Sequence, residues 1–445
     1  MNPQEIVPAR SKEQGEEWEP KAPSNFRKLP HALVMDILSR LTVITLFSCR
    51  CVCKSWLSLI SDPKVTHLHR SRSSFGILMQ NIPFFEKSKE AYFAQILECG
   101  GSDAFVEEII FTPQNSIPVS EFGLVNSCNG LLLLSGAKSD DPLYVCNPIL
   151  GEYITIPPTK GRRWGSFIGL GFSVTTDEYK VLQTFCPVNE LCTCSHNYYE
   201  AKIYTIGTGV WRSIGNVPRE LVVLPFNSFL HGALHWVPFE GYSSEFIYSF
   251  NFEREKFQPL PPPSYFGPFE KEYSHCLKLG VLEGSLVLSA FGADTSKFDL
   301  WIMKDYGVQE SWTKILVIEN LNLHLSNSGC ELLEPLMFLR NGDILMTVDD
   351  RYVAFYDQKR KRFCEAIMSQ TEGKFHSVAY SPCFVSLYDV SKGEQVKRVR
   401  GGKRSEKLFG EGSSGCAGSR SSPVATTSQQ NITLAMDDLC LKMVD

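Results

Sequence analysis

Residues 25–62 read NFRKLPHALVMDILSRLTVITLFSCRCVCKSWLSLISD, and two apolar rhythms run through them. Leu29, Leu33, Ile37 and Leu41 recur every fourth residue, with Val34 and Leu38 beside them. That spacing predicts an amphipathic helix with its apolar groups on one face. Pro30 fits the first helical position, where the N–H it lacks would have had no intrahelical partner. The β-branched run at 42–45 breaks the rhythm. A second run places Leu46, Cys49, Val52, Cys53 and Trp56 on one stripe, and Asp62-Pro63 reads as an N-cap and first position of a third short helix. A unit this small has little interior, so a partner is expected to cover part of its apolar surface.

Outward from this stretch the character changes twice. Residues 1–24 are charged and Pro-punctuated, which predicts disorder, and 25–72 form the helical unit. From 73 to 389 aromatic and β-branched residues dominate, cut by Gly, Pro, Asn and Asp about every ten residues, which reads as all-β. Residues 390–445 are rich in Gly, Ser and Lys/Arg and read as a flexible tail.

The β region repeats. A strand, a polar turn and a second strand with an aromatic residue recur at Tyr144 to Tyr153, Ile203 to Ile214, Ile247 to Pro261, Leu300 to Ile315 and Phe355 to Phe363. Each copy follows another hairpin, turning at Asn129-Gly130, after Phe172, at His231-Gly232, at Glu283-Gly284 and at Asn341-Gly342. Two hairpins make a four-stranded unit of the size of a propeller blade. A sixth unit is assembled from both ends: an apolar segment at 375–387 has no following hairpin, and the runs at 75–78, 91–97 and 105–111 have no preceding partner. Pairing them closes a ring and removes exposed edges. The expected fold is therefore a small trihelical domain followed by a six-bladed β-propeller closed by N- and C-terminal strands, with a pair of irregular β-sandwiches as the alternative.

Leu29-Pro30, the Ile37-Leu38-Ser39-Arg40-Leu41 segment and Val52-Cys53-Lys54-Ser55-Trp56 resemble the F-box. His31, Thr42 and Ile44 depart from that family, standing where an acidic residue, Pro and Lys commonly sit. The segments 129–132, 147–153, 171–181, 211–214 and 232–236 resemble the F-box associated domain of the large plant F-box family. The resemblance implies a non-catalytic substrate receptor of an SCF-type ubiquitin ligase, with an F-box scaffold acting outside the ligase, or a propeller enzyme with a helical appendage, as the alternatives. Its F-box would dock on a Skp-type adaptor, and through it a cullin scaffold, with Leu29, Pro30, Leu38, Leu41, Leu46, Val52 and Trp56 building or supporting that surface. The β domain would bind an unknown target protein.

Other candidate chemistry is thin. Cys186, Cys192, Cys194 and His196 are ligand types for zinc, but Cys192-x-Cys194 is too tight for a usual knuckle and no distant pair completes it. Cys49 and Cys53 fall on the apolar stripe and read as core thiols. Residues 410–415 satisfy G-x-G-x-x-G but lie in a Gly/Ser tail without a βαβ setting. Lys397, Arg398, Arg400, Lys403 and Arg404 form a small basic run, and His231 and His235 stand four apart on a strand. No cofactor or metal is expected. A net charge of −5 offers no general attraction to nucleic acid, and no apolar run is long enough to span a membrane. The polar start carries no secretory pattern, so the 15 cysteines are expected to remain thiols in a cytoplasmic or nuclear protein.

Overall fold

The computed structural model describes residues 29–72, 76–82, 91–98, 104–111, 122–136, 141–159, 167–185, 199–217, 228–238, 246–266, 277–291, 297–319, 333–339, 341–348, 352–365, 374–391 and 395–398. Residues 1–28 and 399–445 lie outside them, as do the Cys186, Cys192, Cys194 and His196 cluster and the 410–415 motif. The chain divides into two compact units, with the division after Leu68.

The first unit is helical. Helix α1 spans His31–Leu38, α2 Val43–Arg50, α3 Lys54–Ile60, and α4, which crosses the division, Pro63–Arg72. Pro30 is the N-cap of α1 and not its first turn residue: ψ is 138°, and its carbonyl accepts the amides of Leu33 and Val34 at 2.9 and 3.2 Å. Thr42 ends the first rhythm by capping α2, its hydroxyl accepting the Thr45 amide. The run expected to form one second helix is two, because Cys53 is fully extended (φ −166°, ψ 165°). Asp62 caps α4 as predicted, accepting the Lys64 amide at 2.8 Å. Val34, Leu38, Val43, Leu46, Ile60 and Val65 are buried in these helices. Cys51 is disulfide-bonded, contrary to the expectation of thiols throughout, while Cys49, Cys53, Cys128, Cys146 and Cys383 are free.

The second unit is a ring of six antiparallel sheets. Blade I joins Lys374–Tyr380, as the inner strand, to Gly76–Ile82, Ala91–Glu98 and Ala104–Phe111, so the two ends of the β region close one sheet. Blade II holds Phe122–Cys128, Leu131–Gly136, Leu143–Asn147 and Glu152–Ile156. Blade III runs from Phe167–Ser173 through Glu178–Phe185 and Tyr199–Thr205 to Trp211–Val217. Blade IV holds Phe229–Leu230, Ala233–Trp236, Ile247–Asn251 and Lys256–Leu260. Blade V holds Leu277–Leu282, Ser285–Phe291, Lys297–Met303 and Trp312–Glu319. Blade VI holds Leu333–Phe338, Ile344–Val348, Tyr352–Asp357 and Arg362–Glu365. The boundary expected at 389 falls short: Val396–Arg398 pairs antiparallel with the outer strand of blade II as its fifth strand.

Local chemistry makes the blades. Asn129-Gly130, His231-Gly232 and Glu283-Gly284 all take positive φ at both turn positions, the geometry that matches two-residue hairpins to strand twist. In three blades the third strand ends in Asn147, Asn251 or Asp357, whose side-chain oxygen accepts two amides of the next turn. Middle strands are buried on both faces, as in Leu143–Asn147 and Ile344–Val348, because each sheet is stacked between two others.

Six apolar clusters fill the interfaces, one between each pair of neighbouring blades, including Ile77, Met79 and Phe375 of blade I with Leu339, Leu345 and Val353 of blade VI. Polar bridges tie successive blades across the same gaps. Gln80 exchanges two hydrogen bonds with the backbone of Phe122 and Leu124 (2.9 and 2.7 Å), and Asn126 does the same with Leu170 (2.9 Å each). Lys180 meets Glu255 at 3.0 Å, and Lys278 meets Glu334 at 3.6 Å. At the rim the indoles of Trp211 and Trp312 donate to the carbonyls of Pro157 and Pro261 in the preceding blade, at 2.8 and 2.9 Å. These contacts leave buried polar groups satisfied where an apolar interface alone would strand them.

Candidate functional site

The helical unit presents apolar groups in two directions. Helix α1 buries Val34 and Leu38, and α2 buries Val43 and Leu46. Leu33 and Val52 are each 50% exposed, and Leu29, Ile37 and Leu57 are also exposed. Leu33 and Ile37 stand at the i, i+4 spacing that lines up side chains along α1, and Leu29 precedes its N-cap. Five large apolar side chains are thus exposed on this short segment. The Arg40 guanidinium pairs with Asp36 at 3.1 Å beyond the last turn of α1, in an exposed setting where such a pair contributes little to stability.

The residues expected to serve this surface therefore divide. Leu29, Pro30 and Val52 are exposed, Leu41 and Trp56 are half-buried, and Leu38 and Leu46 are interior groups that support the helices from behind. Cys49 and Cys53 are half-buried, and Val52 points outward, so the second apolar stripe does not form as one face. The stripe breaks because α2 ends at Arg50 and the backbone is extended at Cys53 before α3 begins. Leu57 belongs among the exposed apolar groups and was not singled out by the spacing. Its signal was the apolar residue immediately following Trp56.

Among the described residues, no group of three or more His, Cys, Asp or Glu is placed to hold a metal. His231 and His235 are not a ligand pair. The buried His235 ring donates from Nδ1 to the Ser228 carbonyl at 2.8 Å and accepts the Tyr306 hydroxyl at Nε2 at 2.6 Å. Burial, with a smaller push from His231, brings its pKa down to about 4 against the Ser228 hydrogen bond, so the ring is neutral. His231 instead sits in the hairpin turn with its ring edge-on to Tyr306.

The motif at 147–153 has a definite task. After the last inner strand, the chain crosses blade II as a strap. Asn147 donates through Nδ2 to the carbonyls of Cys383 (3.1 Å) and Val385 (2.8 Å). The Glu152 carboxylate is wholly buried: Oε2 accepts Ser386 Oγ at 3.0 Å and the Leu387 amide at 2.8 Å, while Oε1 accepts Arg398 Nη2 at 2.7 Å. Helix α5, Leu387–Val390, lies between these contacts, and Tyr204 of blade III donates its hydroxyl to Gln395 at 3.0 Å. Lys397 and Arg398, read from sequence as part of a free basic run, are thus strand residues.

Comparison with known families matches residues 26–68 to the F-box domain and residues 97–388 to the F-box associated beta propeller domain. An F-box protein of Arabidopsis thaliana is 27% identical over 389 residues, covering 80% of this chain and 91% of its own. An F-box/kelch-repeat protein of the same plant is 24% identical, with coverage of 81% and 96%. Another of its F-box proteins is 30% identical, with coverage of 68% and 82%.

Proposed function

This chain belongs to the F-box proteins that carry an F-box associated β-propeller domain, and from that premise we propose that it is the substrate-recognition subunit of an SCF-type ubiquitin ligase. The helical unit binds a Skp-type adaptor and through it a cullin scaffold. The propeller holds a target protein, in the cytoplasm or nucleus. The chain performs no covalent step of its own: it raises the target's concentration beside a conjugating enzyme carried elsewhere in the complex, converting an encounter between free molecules into one within an assembly.

The observation that carries this reading is the exposed apolar set Leu29, Leu33, Ile37, Val52 and Leu57, which lies within the F-box match. A full-length Leu33→Asp/Val52→Asp variant co-expressed with a Skp-type adaptor should lose at least tenfold of its adaptor recovery, because each carboxylate would be desolvated at the contact. Its propeller should still melt at the wild-type temperature. Recovery of adaptor at wild-type yield would overturn the reading. Target recruitment is checked by affinity capture under proteasome inhibition: proteins that stay with a chain lacking 29–68, while the adaptor disappears, are the propeller's ligands.

A further inference from the structure

Among the described residues, blade II is the one sheet with five strands, and its fifth comes from beyond residue 388, where the family match ends. The strap that supplies it has two parts of different character. From Cys383 to Ser391 it is built in, with Cys383, Phe384, Leu387 and Ser391 all buried. The strand Val396–Arg398 lies outside: Val396 is half-buried, Lys397 and Arg398 are exposed, and only three residues pair, Val396 with Ile154, Lys397 with Tyr153 and Arg398 with Glu152.

Glu152 distinguishes the two parts. Ser386 and Leu387 hold Oε2 whether or not the outer strand is present, so the carboxylate keeps its orientation. Oε1 is held by Arg398. Departure of the strand would leave an aimed carboxylate oxygen without its cation, beside an open sheet edge and the Tyr204 hydroxyl that now meets Gln395. Such an edge accepts any extended chain through its backbone, and the charge of Glu152 selects which one. A guanidinium supplies a directional donor with modest dehydration, which fits this position better than a compact ammonium.

We propose that the outer edge of blade II is a peptide-binding site, filled in cis by residues 395–398 and taken in trans by an extended segment of the target bearing an aliphatic residue and, two positions later, an arginine. The cis strand is then a pseudo-ligand: its tether gives it a high effective concentration, so a target must outcompete it or act when the tail is drawn away. This rests on the substrate-receptor reading, whose target segment it specifies.

The probe is a fluorescent peptide of residues 393–400, GEQVKRVR. It should bind saturably to a chain ended after Lys392, co-purified with adaptor, and at least tenfold more weakly to the full chain, whose site is occupied. Glu152→Gln in the shortened chain, or alanine at the Arg398 position of the peptide, should each weaken binding at least tenfold. A full-length Val396→Pro variant, which removes one backbone donor from the cis strand, should bind the peptide more tightly than the wild type. Equal binding to full and shortened chains, or binding indifferent to Glu152→Gln, overturns the proposal. So does loss of cooperative melting in both the shortened chain and Val396→Pro, since the strand would then be part of the fold and not a ligand of it. Adaptor recovery from the same preparations tests the receptor reading separately, so a failed peptide experiment with normal adaptor recovery removes only the latch.

Discussion

His235 shows how much one side chain contributes when both its nitrogens are engaged. Its Nδ1–H is given to Ser228 and its Nε2 lone pair to the Tyr306 hydroxyl, which fixes the neutral tautomer inside blade IV. In the unfolded chain the ring protonates with a pKa of about 6.5, but in the fold only near 4. Between those values the unfolded state binds more protons, so stability is full above about pH 6.5 and declines as pH falls toward 4. Linkage puts the loss at roughly 2 kcal/mol between pH 7.5 and pH 5. Urea midpoints across that window should show this slope, and His235→Asn, which can keep a donor near Ser228 but does not titrate, should flatten it. An unchanged slope in that variant would assign the effect to other groups. Glu255 governs a lower window. Burial pushes its carboxyl up, yet hydrogen bonds and charges from Arg212 and Lys180 outweigh that and hold it below its ordinary value. Its contribution is present above the ordinary carboxylate pKa and is lost as pH falls through the lowered one. Sequence marks His231 and His235 as a pair by spacing, but burial decides the ring's state, and the groups that hold its two nitrogens are Ser228 and Tyr306, the latter 71 positions away.

At the scale of elements, blades III and IV touch through a glycine. A Cβ added at Gly171 would lie 2.0 Å from the Phe252 ring, which is fully buried. Gly171→Ala should lower stability by about 1–3 kcal/mol, the usual range for overpacking. Gly280→Ala is the matched control: its Cβ would meet Val287 at 3.4 Å, ordinary contact, and should leave the urea midpoint nearly unchanged. Equal midpoints for the two variants would mean that the sheets adjust and the close approach is not required. The hairpins themselves are legible in sequence, since a turn residue pair and flanking apolar runs act locally. The split between α2 and α3 is not. No Gly or Pro interrupts residues 46–60, Cys53 offers no side-chain cap, and helical spacing continues across the break as if it were absent. The strand Val396–Arg398 escapes for the opposite reason: it is short, charged and without alternation, and it becomes a strand only because blade II offers an edge and a buried carboxylate. The exposed set of α1 is half legible, because an i, i+4 rhythm shows that an apolar face exists but not which of two adjacent faces, 33/37 or 34/38, the helix turns inward.

For the whole molecule the decisive feature is closure. The repeated hairpins imply blades, and the unpaired strands at the two ends imply that they belong together. The structure joins them in register from Gly76 with Tyr380 to Ile82 with Lys374. The polar bridges Gln80, Asn126 and Lys180 are invisible in sequence, since each depends on the angle at which one blade meets the next. A closed ring has a thermodynamic consequence that an open row of repeats lacks. In an open array each unit contacts two neighbours at most and the ends fray, whereas here blade I is held from both sides, by Val378 and Tyr380 against blade II and by Phe375 against blade VI. Phe375→Ala, at one interface, and Leu288→Ala, at the interface of blades IV and V, should therefore lower the midpoint of one and the same unfolding transition, each by the several kcal/mol typical of a buried truncation. A chain stopped after Gly373 would lack the inner strand of blade I and its contributions to both clusters, Val378 and Tyr380 in one and Phe375 in the other. It should lose the sharp calorimetric transition altogether while keeping much of its β circular dichroism, as sheets persist without the ring that locks them. Separate transitions for the two alanine variants, or a sharp transition at the wild-type temperature in the shortened chain, would show that the blades hold one another as a row and that the joining of the two ends adds nothing.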